Sequence, residues 1–269
     1  MKTYNRVLTI AGSDSGGGAG IQADIKAISA CGCFATSAIT AITAQNTIGV
    51  TDIHAIPTLT LKNQIKAVLE DIGTDSVKIG MLHNSETIKV VKESLEAYNV
   101  KNIVLDPVMV ATSGNKLLED EAIQTLQEVL IPNARIITPN IPEAEILLGC
   151  KIDKQGDLAK HAKALSLNQT VSVFLKAGHL TDDELVDIFY NAETDEILEL
   201  KSKRVYSKNT HGTGCTLSSA LAAFLAKGYD LNDAAKHAKD YINQAIICGA
   251  DYKIGEGHGP VKHFYNYWK

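Results

Sequence analysis

Short apolar stretches alternate with helical stretches along almost the whole chain, and this alternation is the feature that most restricts its fold. The stretch at 33–43 carries no charge and is rich in β-branched residues, which is typical of a strand buried on both faces. Strands that alternate with helices form a mostly parallel sheet with helices on both sides. The predicted strands occupy 7–11, 33–43, 76–80, 102–106, 135–139 and 171–176, the predicted helices occupy 20–31, 58–72, 84–98, 119–130, 141–148, 158–165, 213–227 and 231–248, and 184–200 is predicted to be a hairpin.

The chain shows no linker and no break in composition, so we expect a single domain over residues 1–269. Two helix starts carry residues that are typical of N-caps, Thr58 and Asn84. A capping side chain accepts a hydrogen bond from a first-turn N–H group.

The charge pattern argues against a nucleic-acid or membrane partner. The formal net charge is −5, from 26 Lys and Arg against 31 Asp and Glu, and like charges do not form blocks. No apolar stretch reaches the length of a membrane span. The five cysteines are odd in number and lack paired metal spacing. We therefore expect a reduced, cytoplasmic protein without a signal peptide.

A glycine-rich heptapeptide, THGTGCT at 210–216, leads into a predicted helix. The first N–H groups of a helix have no acceptor inside the helix, so they favour an anion in front of them. Gly212 and Gly214, which flank Thr213, let the backbone approach that anion closely. We therefore expect an anion site here, for a phosphate or an oxyanion, with the thiol of Cys215 at its edge.

The first strand ends in a second glycine-rich stretch, AGSDSGGGAG at 11–20. It does not match the dinucleotide fingerprint GxGxxG, and no lysine follows it as in a P-loop. A tight turn is one interpretation. The other is a wall for a flat, small substrate, with Asp24 on the following helix turned towards it.

Polar residues also follow the later strands. Gln45 has both a donor and an acceptor, which suits the edge of a nitrogen heterocycle, although a loop glutamine is usually just solvated. Asp106 ends a strand, and Glu143 lies three residues past Asn140. The two acids could hold Mg²⁺ directly or through water, but Asn140 and Glu143 also suit a helix capping box.

Lys176 ends the last parallel strand, where a lysine can reach phosphate oxygens as a mobile point charge. The carboxyl ends of parallel strands meet at one edge of a sheet, and binding sites lie there. Five residues at strand ends are therefore expected to share one cleft: Gly12, Gly80, Asp106, Thr138 and Lys176. A further motif, GHGPV at 257–261, is predicted to be a turn that closes one edge of the fold.

In this order, the motifs resemble the hydroxymethylpyrimidine/phosphomethylpyrimidine kinases of thiamine biosynthesis, which belong to the ribokinase-like superfamily. The resemblance covers essentially the whole chain, and it is the combination of motifs that is specific. The matching motifs are TIAGSDSGGGAGIQAD at 9–24, AQNT at 44–47, KIGM at 78–81, DPVM at 106–109, TPNIPE at 138–143, HGTGC at 211–215 and GHGP at 257–260.

The resemblance implies a three-layer α/β/α domain with a mostly parallel central sheet, and a homodimer. It implies that ATP phosphorylates 4-amino-5-hydroxymethyl-2-methylpyrimidine to the monophosphate and then to the diphosphate. Under this interpretation the pyrimidine would lie near five residues: Gly12, Asp24, Gln45, Met81 and Val108.

The same resemblance places ATP along the later strands. The nucleotide would lie near Thr138, Asn140, Lys176 and Thr210, with Mg²⁺ near Asp106 and Glu143. The γ-phosphoryl group would lie in the anion hole formed by Gly212, Thr213, Gly214 and Cys215.

Cys215 separates this group from most of the superfamily, because most ribokinase-like enzymes have Asp at this position and the pyrimidine kinases have Cys. A thiol could act as a general base if the helix N-terminus lowered its pKa. It could equally be only a hydrogen-bond partner. Whether 112–116 closes over the site as a lid is also left open.

Three other functions compete with this one. Pyridoxal or pyridoxine kinase is the nearest, but some relatives with that activity have a cysteine where this chain has Ala111. A hydrolase with Cys215 as nucleophile would need His211 or His179 as its base, and no orienting acid is evident. A non-catalytic ring-binding module would have no use for a nucleotide site.

Overall fold

A central sheet with helices on both sides organises the molecule. The computed structural model describes residues 2–110 and 117–268. In these residues the strands are β1 (Arg6–Asp14), β2 (Phe34–Gln45), β3 (Val50–Ala55), β4 (Ser76–Ile79), β5 (Ile103–Leu105), β6 (Ile136–Ile137), β7 (Ser172–Leu175), β8 (Glu184–Asn191) and β9 (Glu196–Lys203). Their α-helices are α1 (Gly20–Ala30), α2 (Thr58–Asp71), α3 (Ser85–Ala97), α4 (Asp120–Thr125), α5 (Ile141–Leu148), α6 (Leu158–Leu165), α7 (Thr213–Ala226) and α8 (Leu231–Gly249).

The strands follow the order β3-β2-β1-β4-β5-β6-β7-β8-β9 across the sheet. The strands from β2 to β7 in this order are parallel. β3 pairs antiparallel at one edge, and the predicted hairpin, β8 with β9, extends the other edge. The chain reverses its direction of travel across the sheet at β1, and a crevice opens at the carboxyl ends of the strands beside such a reversal.

Both faces of the sheet are buried, because successive side chains of a strand point to opposite faces. On β1, Val7 packs in the apolar layer that contains α1, α7 and α8. Leu8 and Ile10 pack in the opposite layer, with residues of helices α2 to α6. All three side chains are fully buried. The predicted three-layer α/β/α fold with a mostly parallel sheet is confirmed.

Helix α7 lies close against the sheet because its buried side chains are small. Ser218, Ser219, Ala220 and Ala222 are all buried. The Oγ atom of Ser76, at the start of β4, donates a hydrogen bond of 2.6 Å to the carbonyl oxygen of Ala222. Because the C-terminal half of α7 lies over the start of β4, its N-terminus lies over the carboxyl ends of the strands.

One of the two predicted caps is confirmed, and the other is wrong. The side chain of Asn84 accepts a hydrogen bond from the backbone N–H of Thr87, as an N-cap should. Thr58 is instead the first residue of α2, whose N-cap position is Pro57 and has no side-chain cap bond. The hydroxyl of Thr58 donates to Glu86 instead.

Other differences from the predicted elements are small. The sequence pattern did not predict β3, an edge strand whose residues are exposed or half-buried. The predicted helix at 119–130 is α-helical in α4 and continues as a π-helix at Leu126–Leu130. The possible lid at 112–116 lies outside the described residues. In the part of the chain that is described, no helix is both long enough and apolar enough to span a bilayer.

We predict that Ile10→Ala destabilises the protein by about 2–5 kcal/mol, because it leaves a cavity between the sheet and the helices. Ile197→Ala is the matched control, since Ile197 is 44% exposed on β9 while Ile10 is fully buried. The control should change the free energy of unfolding by less than about 0.5 kcal/mol. Urea unfolding of both variants checks this, and equal losses would contradict the assignment of Ile10 to the core.

Candidate active site

A large cavity lies at the carboxyl ends of the parallel strands, next to the reversal at β1. Its volume is about 870 Å³. Gly12 enters it from β1, Met81 follows β4, Asp106 follows β5 and Lys176 follows β7. Independent strands thus deliver side chains to one cleft, as the sequence predicted.

Most of the predicted site residues line this cavity. They are Gly12, Gln45, Met81, Asp106, Val108, Asn140, Glu143, Lys176, Thr210, Gly212, Thr213, Gly214 and Cys215. Three residues that were expected at the cleft do not line it: Asp24, Gly80 and Thr138. The side chain of Thr138 is fully buried and donates a hydrogen bond of 2.9 Å to Asp106 Oδ1. It therefore contacts Asp106, which lines the cavity, from the protein interior.

The N-terminus of α7 forms one end of the cavity. Its N-cap residue is Gly212, which has φ +76° and no side-chain cap bond. A β-carbon on Gly212 would collide with the carbonyl oxygen of Gly18. A β-carbon on Gly214 would lie 3.1 Å from Lys176 Nζ, so the ammonium group lies directly beside the first turn of the helix. Helix N–H groups and a lysine charge together favour an anion.

Cys215 is half-buried in the wall beside this anion site. The backbone amide of Gly20, at the start of α1, favours the ionised form of its thiol. Burial nevertheless raises the pKa of the Cys215 thiol to about 11, although the nearby Lys78 charge opposes this shift. The condition under which the thiol could act as a general base, a pKa lowered by the helix N-terminus, is therefore not met in the free protein, where desolvation outweighs the favourable charges.

Asp106 and Lys176 form a buried ion pair. Lys176 Nζ lies 3.0 Å from Asp106 Oδ1. Burial opposes ionisation of the carboxyl group, but Lys176 and Lys78 outweigh it and hold the pKa of Asp106 below its usual range. Ser218 Oγ is 3.4 Å from the other oxygen, Oδ2. Asp106 is therefore a carboxylate anion with coordination capacity left on Oδ2.

Glu143 has both of the roles between which the sequence could not decide. It forms a capping box with Asn140, in which each side chain binds the other residue's backbone N–H. It also lines the cavity. Burial raises the pKa of Glu143 to about 7, and the Asp106 carboxylate adds to this while Lys176 opposes it. A buried acid with a raised pKa is one that a cation would stabilise in its ionised form.

Asp24 is the predicted substrate contact that the structure places elsewhere. Its side chain is fully buried, and Lys78 Nζ lies 2.9 Å from each of its oxygens. Thr9 and Ser219 donate further hydrogen bonds to the same carboxylate, at 2.6 and 2.8 Å. With all these donors it faces the protein interior rather than a substrate. The expectation that Asp24 is turned towards the substrate is therefore corrected.

Sequence reasoning missed Lys78 and the pair of Asp14 with His211. Lys78 lines the cavity although its side chain is fully buried. His211 Nε2 lies 2.9 Å from Asp14 Oδ2 and 3.4 Å from Gln45 Nε2. A lysine in the otherwise uncharged strand 76–80 was a usable signal. The distance of 197 residues between Asp14 and His211 left no local signal.

The far end of the cavity is built by later elements. Lys239 on α8 and Asp187 on β8 form a buried ion pair with a distance of 2.7 Å. Asp187 also accepts a hydrogen bond from the backbone N–H of Ala177. His179 lines this end, and burial together with the Lys176 charge lowers its pKa. Within the described residues, no hydrogen bond joins Cys215 to His179 or His211, and His211 Nε2 instead contacts Asp14 and Gln45, so the pairing that the alternative hydrolase function would need is absent there.

Comparison with known proteins identifies the group to which this chain is related. The sequence profile described as phosphomethylpyrimidine kinase matches residues 14–262. The chain belongs to this family. The hydroxymethylpyrimidine/phosphomethylpyrimidine kinase of Haemophilus influenzae is 47% identical over 266 residues, which are 98% of this chain and 98% of that protein.

Two solved structures are similar across nearly all of the chain. Phosphomethylpyrimidine kinase from Clostridium difficile 630 is 45% identical with a TM-score of 0.78, covering 90% of this chain and 99% of that one. An ADP complex of Bacillus subtilis pyridoxal kinase is 35% identical with a TM-score of 0.89, covering 99% and 100%. The protein is therefore a kinase with a ribokinase-like fold.

We predict that Lys78→Met and Asp24→Leu each destabilise the protein by about 3–5 kcal/mol, because each leaves a buried charge without its partner. The double variant should lose less than the sum of the two, since it leaves no unpaired charge. Chemical denaturation of the three variants measures this. Additive losses would show that the pair is not coupled.

We also predict that alkylation of Cys215 by iodoacetamide keeps accelerating with pH up to about 11, because the thiolate is the reactive form and burial raises its pKa to about 11. Peptide mapping by mass spectrometry measures the rate, and the exposed Cys150 in the same sample reports on the reagent. A rate that levels off below pH 8 would contradict the raised pKa.

Proposed function

We propose that the protein transfers the γ-phosphoryl group of ATP to the hydroxymethyl group of 4-amino-5-hydroxymethyl-2-methylpyrimidine, and then a second one to the monophosphate. One observation carries this proposal. A single cavity joins a small apolar pocket beside Gln45, Met81 and Val108 to the anion site at the start of α7. Cys215 lies in the wall of the same cavity.

The proposed substrate end suits a flat ring. Because Gly12 has no side chain, it leaves one side of this pocket open. A β-carbon there would lie 2.9 Å from the sulfur of Met81 and would crowd it. Met81, Val108 and Leu117 belong to a small apolar cluster at this end. Gln45 supplies the polar group that would recognise the edge of the ring.

The phosphoryl group would be held by the backbone of Gly212, Thr213 and Gly214 together with Lys176. Phosphoryl transfer depends mainly on positioning and on stabilising charge, and fixed N–H groups supply both. The later residues Asn140 and Thr210 line the cavity towards the nucleotide end. Lys176 would move from Asp106 towards the phosphate oxygens as they arrive.

The carboxylates of Asp106 and Glu143 fit a Mg²⁺ ion that is completed by water and phosphate oxygens. Mg²⁺ in kinases is usually held by one or two carboxylates together with the substrate phosphates. Within the described residues, no cluster of three or more His, Cys, Asp or Glu side chains could hold a metal without such partners. When bound, Mg²⁺ would neutralise charge on the phosphate oxygens.

The raised pKa of Cys215 supports an orienting role rather than that of a pre-ionised base. At neutral pH a thiol with a pKa of about 11 remains protonated. Its sulfur, in the first turn of α7, would hold the substrate hydroxyl in line with the phosphoryl group. We further propose a cytoplasmic, single-domain protein, as the cysteines and the lack of a linker indicate, that acts as a homodimer, as the resemblance implies.

Pyridoxal kinase activity is the second candidate, favoured by the TM-score of 0.89 to the pyridoxal kinase of Bacillus subtilis. The two activities are distinguished by coupled measurement of ADP release with hydroxymethylpyrimidine, its monophosphate and pyridoxal. We expect turnover with both pyrimidines, at a higher kcat/KM than with pyridoxal. No turnover with either pyrimidine would overturn the proposal.

The two transfers differ in a way that tests Cys215. The first acceptor is a neutral hydroxyl, whereas the second is a phosphate that is already an anion. We predict that Cys215→Ala lowers kcat for the first transfer at least about tenfold, because the hydroxyl loses the group that positions it, and changes the second much less. Cys215→Asp is the comparison variant. If Cys215→Ala retained full turnover in the first transfer, the thiol would have no role.

A further inference from the structure

Asp14 connects the first glycine-rich loop to the anion loop. The residue is buried, with 2% of its surface exposed. Oδ1 accepts a hydrogen bond from the backbone N–H of Gly16, and Oδ2 accepts from Gly18 and Ala19, at 2.8, 3.1 and 2.8 Å. His211 Nε2 completes this set at 2.9 Å from Oδ2. Three of these four neighbours are backbone N–H groups, which can only donate hydrogen bonds.

These contacts determine where the proton of His211 lies. An ionised carboxylate can only accept hydrogen bonds, so Nε2 of His211 must carry a proton to bind it. Burial raises the pKa of Asp14, but the hydrogen bonds from His211 and from the backbone outweigh burial and hold this pKa below its usual range. Asp14 is therefore ionised at neutral pH, and His211 Nε2 is a donor.

The proton on His211 Nε2 restricts the orientation of the Gln45 side-chain amide. Gln45 Nε2 lies 3.4 Å from His211 Nε2, and its Oε1 lies 3.2 Å from Thr43 Oγ1. The two ends of a side-chain amide have the same shape and are assigned from their hydrogen bonds. A donor of Gln45 facing a donor of His211 is unfavourable, so the amide oxygen belongs on the His211 side.

Thr43 requires the same orientation independently. Its hydroxyl proton is used in a hydrogen bond of 2.8 Å to the carbonyl oxygen of Ser13. The hydroxyl oxygen is then free to accept, and the NH₂ group of Gln45 is the donor that it needs. Both neighbours of the amide thus place its oxygen towards His211 and its nitrogen towards Thr43.

We propose that Asp14 and His211 are positioning residues that orient the Gln45 amide, so that its remaining N–H faces a ring nitrogen of the substrate. This inference rests on the proposed function. The site then selects aromatic heterocycles that present an unprotonated ring nitrogen at that edge. A ring that presents an N–H there instead would face a donor and be rejected.

The C-terminal turn at 257–260 contacts both the loop that carries His211 and the loop that follows Gln45. The backbone N–H of His211 donates to the carbonyl oxygen of Gly259 at 3.0 Å. The backbone N–H groups of His258 and Gly257 donate to Thr47, two residues past Gln45, at 2.9 and 3.2 Å. One short turn therefore holds both His211 and the Gln45 loop, which gives this motif a role beyond closing an edge.

The tautomer of His211 can be measured without any turnover. Nitrogen-15 NMR of the full-length protein, with the His211 signals assigned by comparison with His211→Gln, reports which ring nitrogens carry protons. We expect a proton on Nε2. An unprotonated Nε2 at about pH 7.5, close to physiological pH, would overturn the proposal even if the enzyme were fully active.

Steady-state kinetics test whether His211 acts through Gln45. We expect His211→Phe to raise KM for hydroxymethylpyrimidine about tenfold, the size of one hydrogen bond, with KM for ATP unchanged. His211→Gln keeps an N–H donor at the position of Nε2 and should restore most of this loss. His161→Phe, on α6 and outside the cavity lining, is the matched control. An equal rise in KM for ATP would indicate general disruption and contradict the proposal.

A double-mutant cycle and a substrate pair complete the test. In a Gln45→Ala background, His211→Phe should have no further effect on KM for the pyrimidine, and a full additional loss would overturn the proposal. The wild type should prefer the 4-amino pyrimidine over its 4-oxo analogue, whose ring carries an N–H, and His211→Phe should reduce this preference about tenfold. If wild-type protein turned over neither ring, the proposed function would fail, while the NMR result would stand on its own.

Discussion

The buried ion pair of Lys78 and Asp24 determines the geometry on which the site depends. Lys78 lies on β4, Asp24 on α1, and Thr9 of β1 and Ser219 of α7 bind the same carboxylate. A buried pair is tolerated only when its remaining hydrogen-bonding capacity is satisfied, so the four elements must adopt one arrangement. That arrangement packs α1 and α7 against β1 and β4, and the cavity is lined by the first residue of α1, Gly20, and the first turn of α7.

The same interior also shapes the electrostatics of the site. Of the two ammonium groups near the strand ends, Lys78 is paired directly with Asp24 and Lys176 with Asp106, although the Lys78 charge also lowers the pKa of Asp106. Burial raises the pKa of Glu143 to about 7, and the Asp106 carboxylate adds to this although Lys176 opposes it, so positive charge is in shortage beside these two acids. A triphosphate would increase the shortage, which is the physical reason that the proposed Mg²⁺ suits this position.

The sequence predicted the layers of the fold because buried parallel strands and amphipathic helices have distinct periodicities. It also predicted which strand ends meet, since parallel strands share one carboxyl edge. It could not predict where individual side chains point. Asp24 carries the same charge whether it faces a substrate or Lys78, and the pairing of Asp14 with His211 joins residues that are far apart in the chain. The pKa of Cys215 likewise depends on burial, which no motif records.

Fold similarity does not decide which ring is phosphorylated. The chain has a TM-score of 0.89 to a pyridoxal kinase at 35% identity and 0.78 to a phosphomethylpyrimidine kinase at 45% identity. The backbone is therefore shared by enzymes with different substrates, and discrimination must come from the donors and acceptors presented at the ring edge. In this chain we propose Gln45 for that role, with its orientation set by the Asp14 carboxylate and the His211 imidazole. A change of ring preference could therefore arise without any change in the residues that touch the ring.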